Sequence, residues 1–98
     1  MTEGESLVLR IVAYDISKPR VLNRIAKICL DFGVRLEKSV FVCDLTDEEF
    51  AEFWRRLCEK ADDETDRIVA YPICASCERR RQEFGDFSHD VTANVVVV

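Results

Sequence analysis

One carboxylate stands where a buried strand is expected to end and a helix to begin. The residues Tyr14 to Ser17, with Asp15 among them, follow a run from Leu7 to Ala13 that is apolar except for Arg10, and they precede a segment that starts with Pro19. Such a run is typical of a strand buried on both faces, and the loops after these strands often carry function. Asp15 is therefore the first candidate for a chemical role, although an aspartate before a helix can equally be a cap or a turn former.

Basic side chains are the second group with possible chemistry. Arg20, Arg24 and Lys27 recur on one stripe of a helical segment, and 79–81 is a run of three arginines. Either group could contact the phosphates of a nucleic acid. The stripe is also typical of the solvated face of an amphipathic helix, and the run could protect a sheet edge from aggregation. Both interpretations stay open.

The five cysteines fall into two groups. Cys29, Cys43 and Cys58 occupy apolar positions of expected elements, which predicts small buried side chains. Cys74 and Cys77 have the spacing of half a zinc site or of a redox pair. The sequence contains no second such pair, so we predict no zinc, because a closed site needs four ligands. A redox motif should follow a strand and open a long helix, which is not the expected structure here.

Length and charge restrict the class of protein. The chain has 98 residues, which is the length of one domain, and 14 basic against 19 acidic residues give a net charge of −5. This charge argues against binding nucleic acid through an overall positive field, so an anionic ligand must be met by a local patch. We find no apolar stretch of membrane-spanning length and no signal-type N-terminus, and we expect a cytoplasmic protein without membrane contact.

Apolar periodicity predicts the first two elements. A polar tail covers 1–6, and the first strand covers about 7–14. The first helix covers about 19–32, because Pro19 suits a first turn and Gly33 supplies a stop.

A second strand and a second helix follow. The strand covers about 34–43, and its alternation places Phe41 on the exposed face together with Arg35. Thr46 and Glu49 have the spacing of a capping box, which predicts that a helix begins there.

The last third of the chain is less regular. The acidic residues of 62–66 are expected to form a solvated turn, and a third strand covers about 67–71, closed by Pro72. Residues 78–84 could form a short polar edge strand. The four terminal valines predict a C-terminal strand at 91–98 that needs a partner, and we expect it to pair across a dimer.

These elements predict an α+β fold with a ferredoxin-like βαββαβ order and an additional C-terminal strand. Both helices should lie on one face of a mostly antiparallel sheet, within a single domain that covers 1–98. This fold hosts enzymes, RNA-binding modules and regulators, so it does not by itself select a function.

Three short motifs occur in register along the chain. They are Tyr-Asp-Ile-Ser at 14–17, Ser-Val-Phe at 39–41, and Tyr-Pro-Ile-Cys at 71–74 with Cys77 after it. Together they resemble the small CRISPR-associated endoribonuclease, the second of the two Cas adaptation proteins, over about 7–77. The resemblance implies a ferredoxin-like homodimer, metal-dependent cleavage of RNA or DNA phosphodiesters, and assembly with the Cas integrase during spacer acquisition.

The resemblance also implies roles for individual residues. Asp15 corresponds to the family's metal-binding aspartate, with Mg²⁺, or Mn²⁺ in its place, as the ion. The chemistry of the residues, rather than the resemblance, makes Tyr14 the expected second catalytic residue, because its hydroxyl, like that of Ser17, could bond the phosphate or metal-bound water. Four further residues are implied to contact nucleic acid or to support those that do: Arg20, Arg24, Arg35 and Phe41.

Two functions remain open. One carboxylate per protomer is a thin ligand set for a nuclease, and a two-fold dimer would supply Asp15 from both chains. The alternative is a non-catalytic scaffold that binds nucleic acid through its backbone and bridges two integrase dimers. RNA, single-stranded DNA and duplex DNA are all open as substrates.

Overall fold

The chain forms one sheet and three helices within residues 6–85, which the computed structural model describes. The elements are, in chain order, β1 (Val8–Asp15), α1 (Pro19–Phe32), β2 (Val34–Glu37), β3 (Val40–Leu45), α2 (Asp47–Lys60), β4 (Arg67–Ile73) and α3 (Ala75–Arg79). The strand order is β2-β3-β1-β4, and all three pairings are antiparallel. The predicted ferredoxin-like βαββαβ fold is confirmed, while the tail at 1–5 and the strand expected at 91–98 lie outside the described residues.

The first helix has the predicted bounds. Pro19 occupies its first turn, where a missing N–H leaves no intrahelical bond unmade. At the other end the Gly33 N–H donates to the Cys29 carbonyl at 2.8 Å. A Cβ at Gly33 would collide with the Val42 carbonyl oxygen, so only glycine lets the chain pass this close to β3. The sequence signals for start and stop are both confirmed.

The predicted second strand is wrong as a single element, because it is a hairpin. β2 and β3 pair with each other, and the chain reverses between Glu37 and Val40. The reversal supplies the fourth strand of the fold. Phe41 pairs with Arg35 and shares its face of the sheet, as the alternation predicted, but this is the face that the helices cover. Phe41 is 1% exposed, so its predicted position on an exposed face is wrong.

The core lies between the sheet and the two long helices. The second helix begins with the predicted capping box, in which Thr46 Oγ1 accepts from the Glu49 N–H at 3.1 Å and the Glu49 carboxylate accepts from the Thr46 N–H at 2.9 Å. The largest fully buried side chains are Phe41, Phe53, Ile25, Leu57, Val12, Cys29 and Cys43. Burial of this layer is the main source of the fold's stability.

The other face of the sheet, which we call the open face, is largely apolar and is not covered by α1 or α2. Val69 and Tyr71 on β4 are 41% and 61% exposed. A groove of about 350 Å³ crosses this face, and its apolar lining comes from Leu9, Ile11, Leu36, Val42 and Ile73. The prediction that β1 is buried on both faces is therefore wrong for the single chain, since in the described part the two long helices cover only one of them and Leu9 and Ile11 on the other are half-buried.

The region after α2 departs from prediction in two places. β4 continues through Pro72 to Ile73, because an edge strand tolerates a residue that cannot donate. The edge strand proposed for 78–84 is wrong: α3 occupies Ala75–Arg79, and Cys74 caps it by accepting from the Cys77 N–H. None of the helices in the described region is long and apolar enough to cross a membrane.

The buried cysteines are mostly those predicted. Cys29 and Cys43 are buried, and the prediction for them is confirmed. Cys58 is exposed, so the prediction for it is wrong. It lies one position beyond the buried Leu57 on α2, about 100° around the helix and off the core-facing stripe.

Candidate functional site

Asp15 ends β1 as an exposed side chain. It stands in register with Arg67, the first residue of β4. Within residues 6–85 its carboxylate has neither a hydrogen bond nor an ion pair. A carboxylate that the fold leaves free in this way is available to a cation or to a donor from a ligand.

The loop that follows Asp15 is held by a second aspartate. Asp66 Oδ1 accepts from the Ser17 N–H at 3.0 Å, and its Oδ2 accepts from the Asp62 N–H at 2.8 Å. The Ser17 hydroxyl donates to the Thr65 carbonyl at 3.0 Å. These bonds, that from Ser17 first, hold the pKa of Asp66 below its usual value. The acidic turn is thus a structural clasp that fixes the chain beside Asp15.

Tyr14 faces the side of the sheet opposite to Asp15, since successive strand residues alternate. It is 6% exposed, and its hydroxyl donates to the Lys38 carbonyl at 3.3 Å. Burial raises the pKa of this hydroxyl, and the nearby Cys29 thiol adds to the rise, while Arg35 partly offsets it. This placement favours a supporting role, in which Tyr14 anchors the β2–β3 turn, over contact with a phosphate.

Arg35 and Phe41 lie together on the helix side of the hairpin. The Arg35 guanidinium carbon is 5.2 Å from the centre of the Phe41 ring. The Tyr14 ring stacks with the same Phe41 ring, at 6.0 Å between centroids. Arg35 is exposed and can reach a ligand. Phe41 is buried and cannot stack on a base in this chain, so its role is to support Arg35 and Tyr14.

Arg20 and Arg24 project from the first two turns of α1 and are both exposed. Arg24 also reaches a charged groove of about 580 Å³ between α1 and α2. In this groove Arg55 pairs with Glu52 at 2.7 Å and with Glu59. Arg20 and Arg24 have no ion pair to a residue of the described region, so their charge is available to a phosphate.

Two basic residues near Asp15 were missed at the sequence level. Lys38 lies in the β2–β3 turn, which Tyr14 holds at the same end of the sheet, and Arg67 stands opposite Asp15 on β4. Both are exposed. Lys38 did carry a signal, because it interrupts the apolar alternation of the supposed single strand. Arg67 carried none, since its position depends on the pairing of β1 with β4.

The side chains near Asp15 offer few ligands to a divalent cation. Between residues 6 and 85 no three His, Cys, Asp or Glu side chains come together as a metal site. A single free carboxylate fits Mg²⁺, which retains several waters and takes further ligands from phosphates. Asp15 fits this role, and it requires that substrate or a second protomer complete the coordination.

Comparison with known proteins identifies the family. The family model described as CRISPR associated protein Cas2 matches residues 8–81. The CRISPR-associated endoribonuclease Cas2 1 of Moorella thermoacetica is 30% identical over 80 residues, which cover 76% of this chain and 83% of the relative. The protein of the same name from Chloroflexus aurantiacus is 35% identical over 77 residues, which cover 78% of this chain and 83% of the relative.

A solved structure agrees with these relatives. The crystal structure of Streptococcus pyogenes Cas2 at pH 6.5 superposes with a TM-score of 0.71 at 34% identity, and it covers 79% of this chain and 99% of that one. A hypothetical protein from Thermus thermophilus superposes with the same TM-score at 26% identity. The resemblance carried by the motifs around Asp15, Phe41 and Cys74 is confirmed, and the chain belongs to the Cas2 family.

Proposed function

We propose that this protein is a homodimeric, metal-dependent endonuclease of a CRISPR system, in which Asp15 holds the cation. Its relatives from Moorella thermoacetica and Chloroflexus aurantiacus are named endoribonucleases. The observation that carries the proposal is the exposed carboxylate of Asp15 at the end of the largely apolar β1, without a partner among residues 6–85. The protein also assembles with the Cas integrase during spacer acquisition, as the family resemblance implies.

The open face supports the dimer. Val69 and Tyr71 are exposed on this face, and Leu9 and Ile11 line its groove, which also has charged residues of 78–83 along its edge. Exposed apolar side chains grouped on one face are of the kind that marks an interface. Because side chains alternate along a strand, Asp15 shares this face with Ile11. Packing of two open faces about a two-fold axis would therefore bury the apolar surface. It would also place the Asp15 residues of both protomers on the packed faces of one dimer.

Different residues of the site would bind the cation, hold the phosphate and support the loop after Asp15. A magnesium ion bound at Asp15 would lower the pKa of its water and offset charge on the phosphate. Lys38 and Arg67 supply positive charge at the same end of the sheet and would hold the phosphate backbone. Asp66 keeps the Ser17 backbone in place, and with it the loop after Asp15. Tyr14 remains protonated at neutral pH and is no general base.

Binding of the nucleic acid would rest on local patches, because the chain as a whole is acidic, with a net charge of −5. Arg20 lies within five residues of Asp15 in the sequence and leaves its charge exposed on α1. Arg24 and Arg35 extend the positive surface on the helix side. Contacts of this kind position a backbone without reading its sequence, which is consistent with a substrate recognised by shape.

The replacement of Asp15 by asparagine tests the proposal. The variant keeps the shape of the side chain and removes its charge, so cleavage should fall about a hundredfold or more, or about 3 kcal/mol of transition-state stabilisation. The assay uses RNA, single-stranded DNA and duplex DNA with Mg²⁺ or Mn²⁺. Asp63→Asn is the matched control, because Asp63 is an exposed aspartate of the turn before β4.

Three results are decisive for this experiment. Loss of cleavage in Asp15→Asn with normal cleavage in Asp63→Asn and an unchanged dimer supports the proposal. Equal cleavage by wild type and Asp15→Asn indicates a contaminating nuclease. Absence of cleavage by the wild type across roughly pH 6 to 9 would refute the proposed nuclease activity and leave the family assignment intact.

A second candidate is the non-catalytic scaffold that bridges integrase dimers. It is favoured by the absence of a three-ligand metal cluster anywhere from residue 6 to residue 85. Spacer acquisition measured in cells distinguishes the two functions. A scaffold predicts that Asp15→Asn acquires spacers at the wild-type rate, whereas Arg20→Ala and Arg67→Ala reduce acquisition by weakening the nucleic-acid contacts.

A further inference from the structure

Cys74 and Cys77 lie at the point where the chain leaves β4. Cys74 is the N-cap of α3, with extended backbone angles, and Cys77 lies within the first turn of that helix. The Cys77 N–H donates to Cys74 Sγ at 3.4 Å, and both side chains are exposed. The motif follows a strand and opens a helix, as a redox pair does, although the helix covers only Ala75–Arg79.

The two thiols are not equivalent. Hydrogen bonds from the Cys77 backbone and thiol lower the pKa of Cys74. The same interaction raises the pKa of Cys77, while Arg80, whose Nη2 lies 3.9 Å from Cys77 Sγ, partly opposes the rise. Cys74 is thus the thiol richer in thiolate, which is the form that attacks a disulfide.

The other three cysteines provide internal references. Burial raises the pKa of Cys29 to about 12 and that of Cys43 to about 11. These two thiols are therefore unreactive in the folded chain. Cys58 is exposed on α2, where no cysteine is within one helical turn of it. It can be modified singly but cannot close a short ring.

We propose that Cys74 and Cys77 form a reversible intramolecular disulfide by exchange with a low-molecular-weight disulfide. The Cys74 thiolate attacks one sulfur of glutathione disulfide, the mixed disulfide forms, and one glutathione thiolate leaves. Cys77, after losing its proton to solvent, attacks Cys74 Sγ and displaces the second glutathione. The dithiol loses two electrons and two protons, and two glutathione thiols are formed.

The exposed position of Cys74 and Cys77 would make a disulfide between them easy to reduce, and the pair lies beside the groove of the open face. A ring of four residues on an exposed turn is easily attacked by an external thiol, which is typical of regulatory rather than structural disulfides. Cys77 and Glu78 also line the groove of the open face beside Leu9 and Ile11. The bond would fix the path by which the chain passes from β4 onto that face.

Redox titration of the full chain tests the proposal. The protein is equilibrated in glutathione buffers of varied ratio, quenched with acid, alkylated and digested, and its peptides are identified by mass spectrometry. We expect a Cys74–Cys77 linkage whose fraction follows the glutathione ratio from both directions. Cys58→Ser, the matched control, should give the same curve.

Two variants assign the steps. Cys77→Ser should stop at a single glutathione on Cys74, and in Cys74→Ser the linkage should be absent and Cys77 should carry at most one glutathione. The wild-type experiment decides the proposal even if a variant fails to fold. Absence of the linkage at every ratio, a covalent dimer on a non-reducing gel, or Cys58 reacting faster than Cys74 would overturn it. None of these readouts depends on nuclease activity.

Discussion

The layer between the sheet and the helices and the Asp15 end of the sheet use their side chains in opposite ways. In the layer, Phe41, Phe53 and Leu57 are at most 1% exposed, and their contribution is burial. At the Asp15 end, Asp15 and Arg67 are exposed, and Asp15 has no partner within residues 6–85. Substitutions should therefore separate into those that unfold the chain and those that leave it folded but inactive.

The largest effect is expected in the buried layer. Phe41→Ala should lower the free energy of unfolding by about 3–5 kcal/mol, because it leaves a cavity beneath Tyr14 and Arg35. Urea denaturation at one fixed protein concentration, followed by circular dichroism, measures this. Phe84→Ala is the control, since Phe84 is 98% exposed and should change stability by less than about 0.5 kcal/mol. A stable Phe41→Ala protein with impaired nucleic-acid binding would contradict the division between the two regions.

Asp66 is a residue of the Asp15 end that behaves like part of the structure. Asp66→Asn keeps one acceptor oxygen and leaves either the Ser17 or the Asp62 N–H without its carboxylate partner. We expect the midpoint of thermal unfolding to fall by several degrees, as losses of a charge-assisted hydrogen bond do in a small domain. Cleavage should fall less than in Asp15→Asn. Asp63→Asn should leave both quantities unchanged, and an equal effect of the two substitutions would show that the clasp is unimportant.

The clasp also predicts a pH dependence. The pKa of Asp66 is lower in the folded chain than its usual value, so its stabilising contribution is complete above the unfolded pKa of about 3.9. It is lost as the pH falls through the lower folded pKa. Asp44 acts in the opposite direction, because burial raises the pKa of that carboxyl. Unfolding midpoints measured between about pH 2.5 and 6 should therefore decline more steeply at the acid end in wild type than in Asp66→Asn.

The sequence predicted best what depends on local chemistry. The bounds of α1 followed from Pro19 and Gly33, and the start of α2 followed from its capping box. The hairpin was missed because the turn at Lys38 contains no glycine, asparagine or aspartate, so the strand pattern continues across it without a turn signal. Phe41 was assigned to an exposed face for a different reason: it shares its face with the charged Arg35, and the sequence alone does not show that the helices cover that face.

The candidate site was predicted only in part, for a related reason. Asp15 was found because its signal is local: a largely apolar strand that ends in a carboxylate. Asp66 and Arg67 were missed because their importance depends on contacts and register with residues about fifty positions earlier, Ser17 and Asp15. Long-range pairing of this kind is decided by the whole sheet and leaves no trace in a short window of sequence.

The smallest effect is expected at the exposed arginines. It tests whether nucleic acid binds near the Asp15 end of the sheet. Arg20→Ala removes one exposed charge on α1 that has no ion pair among residues 6–85, so affinity for RNA or DNA should fall to a similar extent for all sequences. The slope of log affinity against log salt should decrease by about one, because one phosphate contact is lost.

Arg55→Ala is the matched control, since Glu52 and Glu59 already neutralise that guanidinium. Fluorescence anisotropy over a salt series measures both variants, with the thermal midpoint recorded beside it. A salt slope reduced by Arg55→Ala and not by Arg20→Ala would move the nucleic-acid surface away from Asp15 to the groove between α1 and α2. The Asp15 end would then have to act on a backbone held elsewhere on the protein.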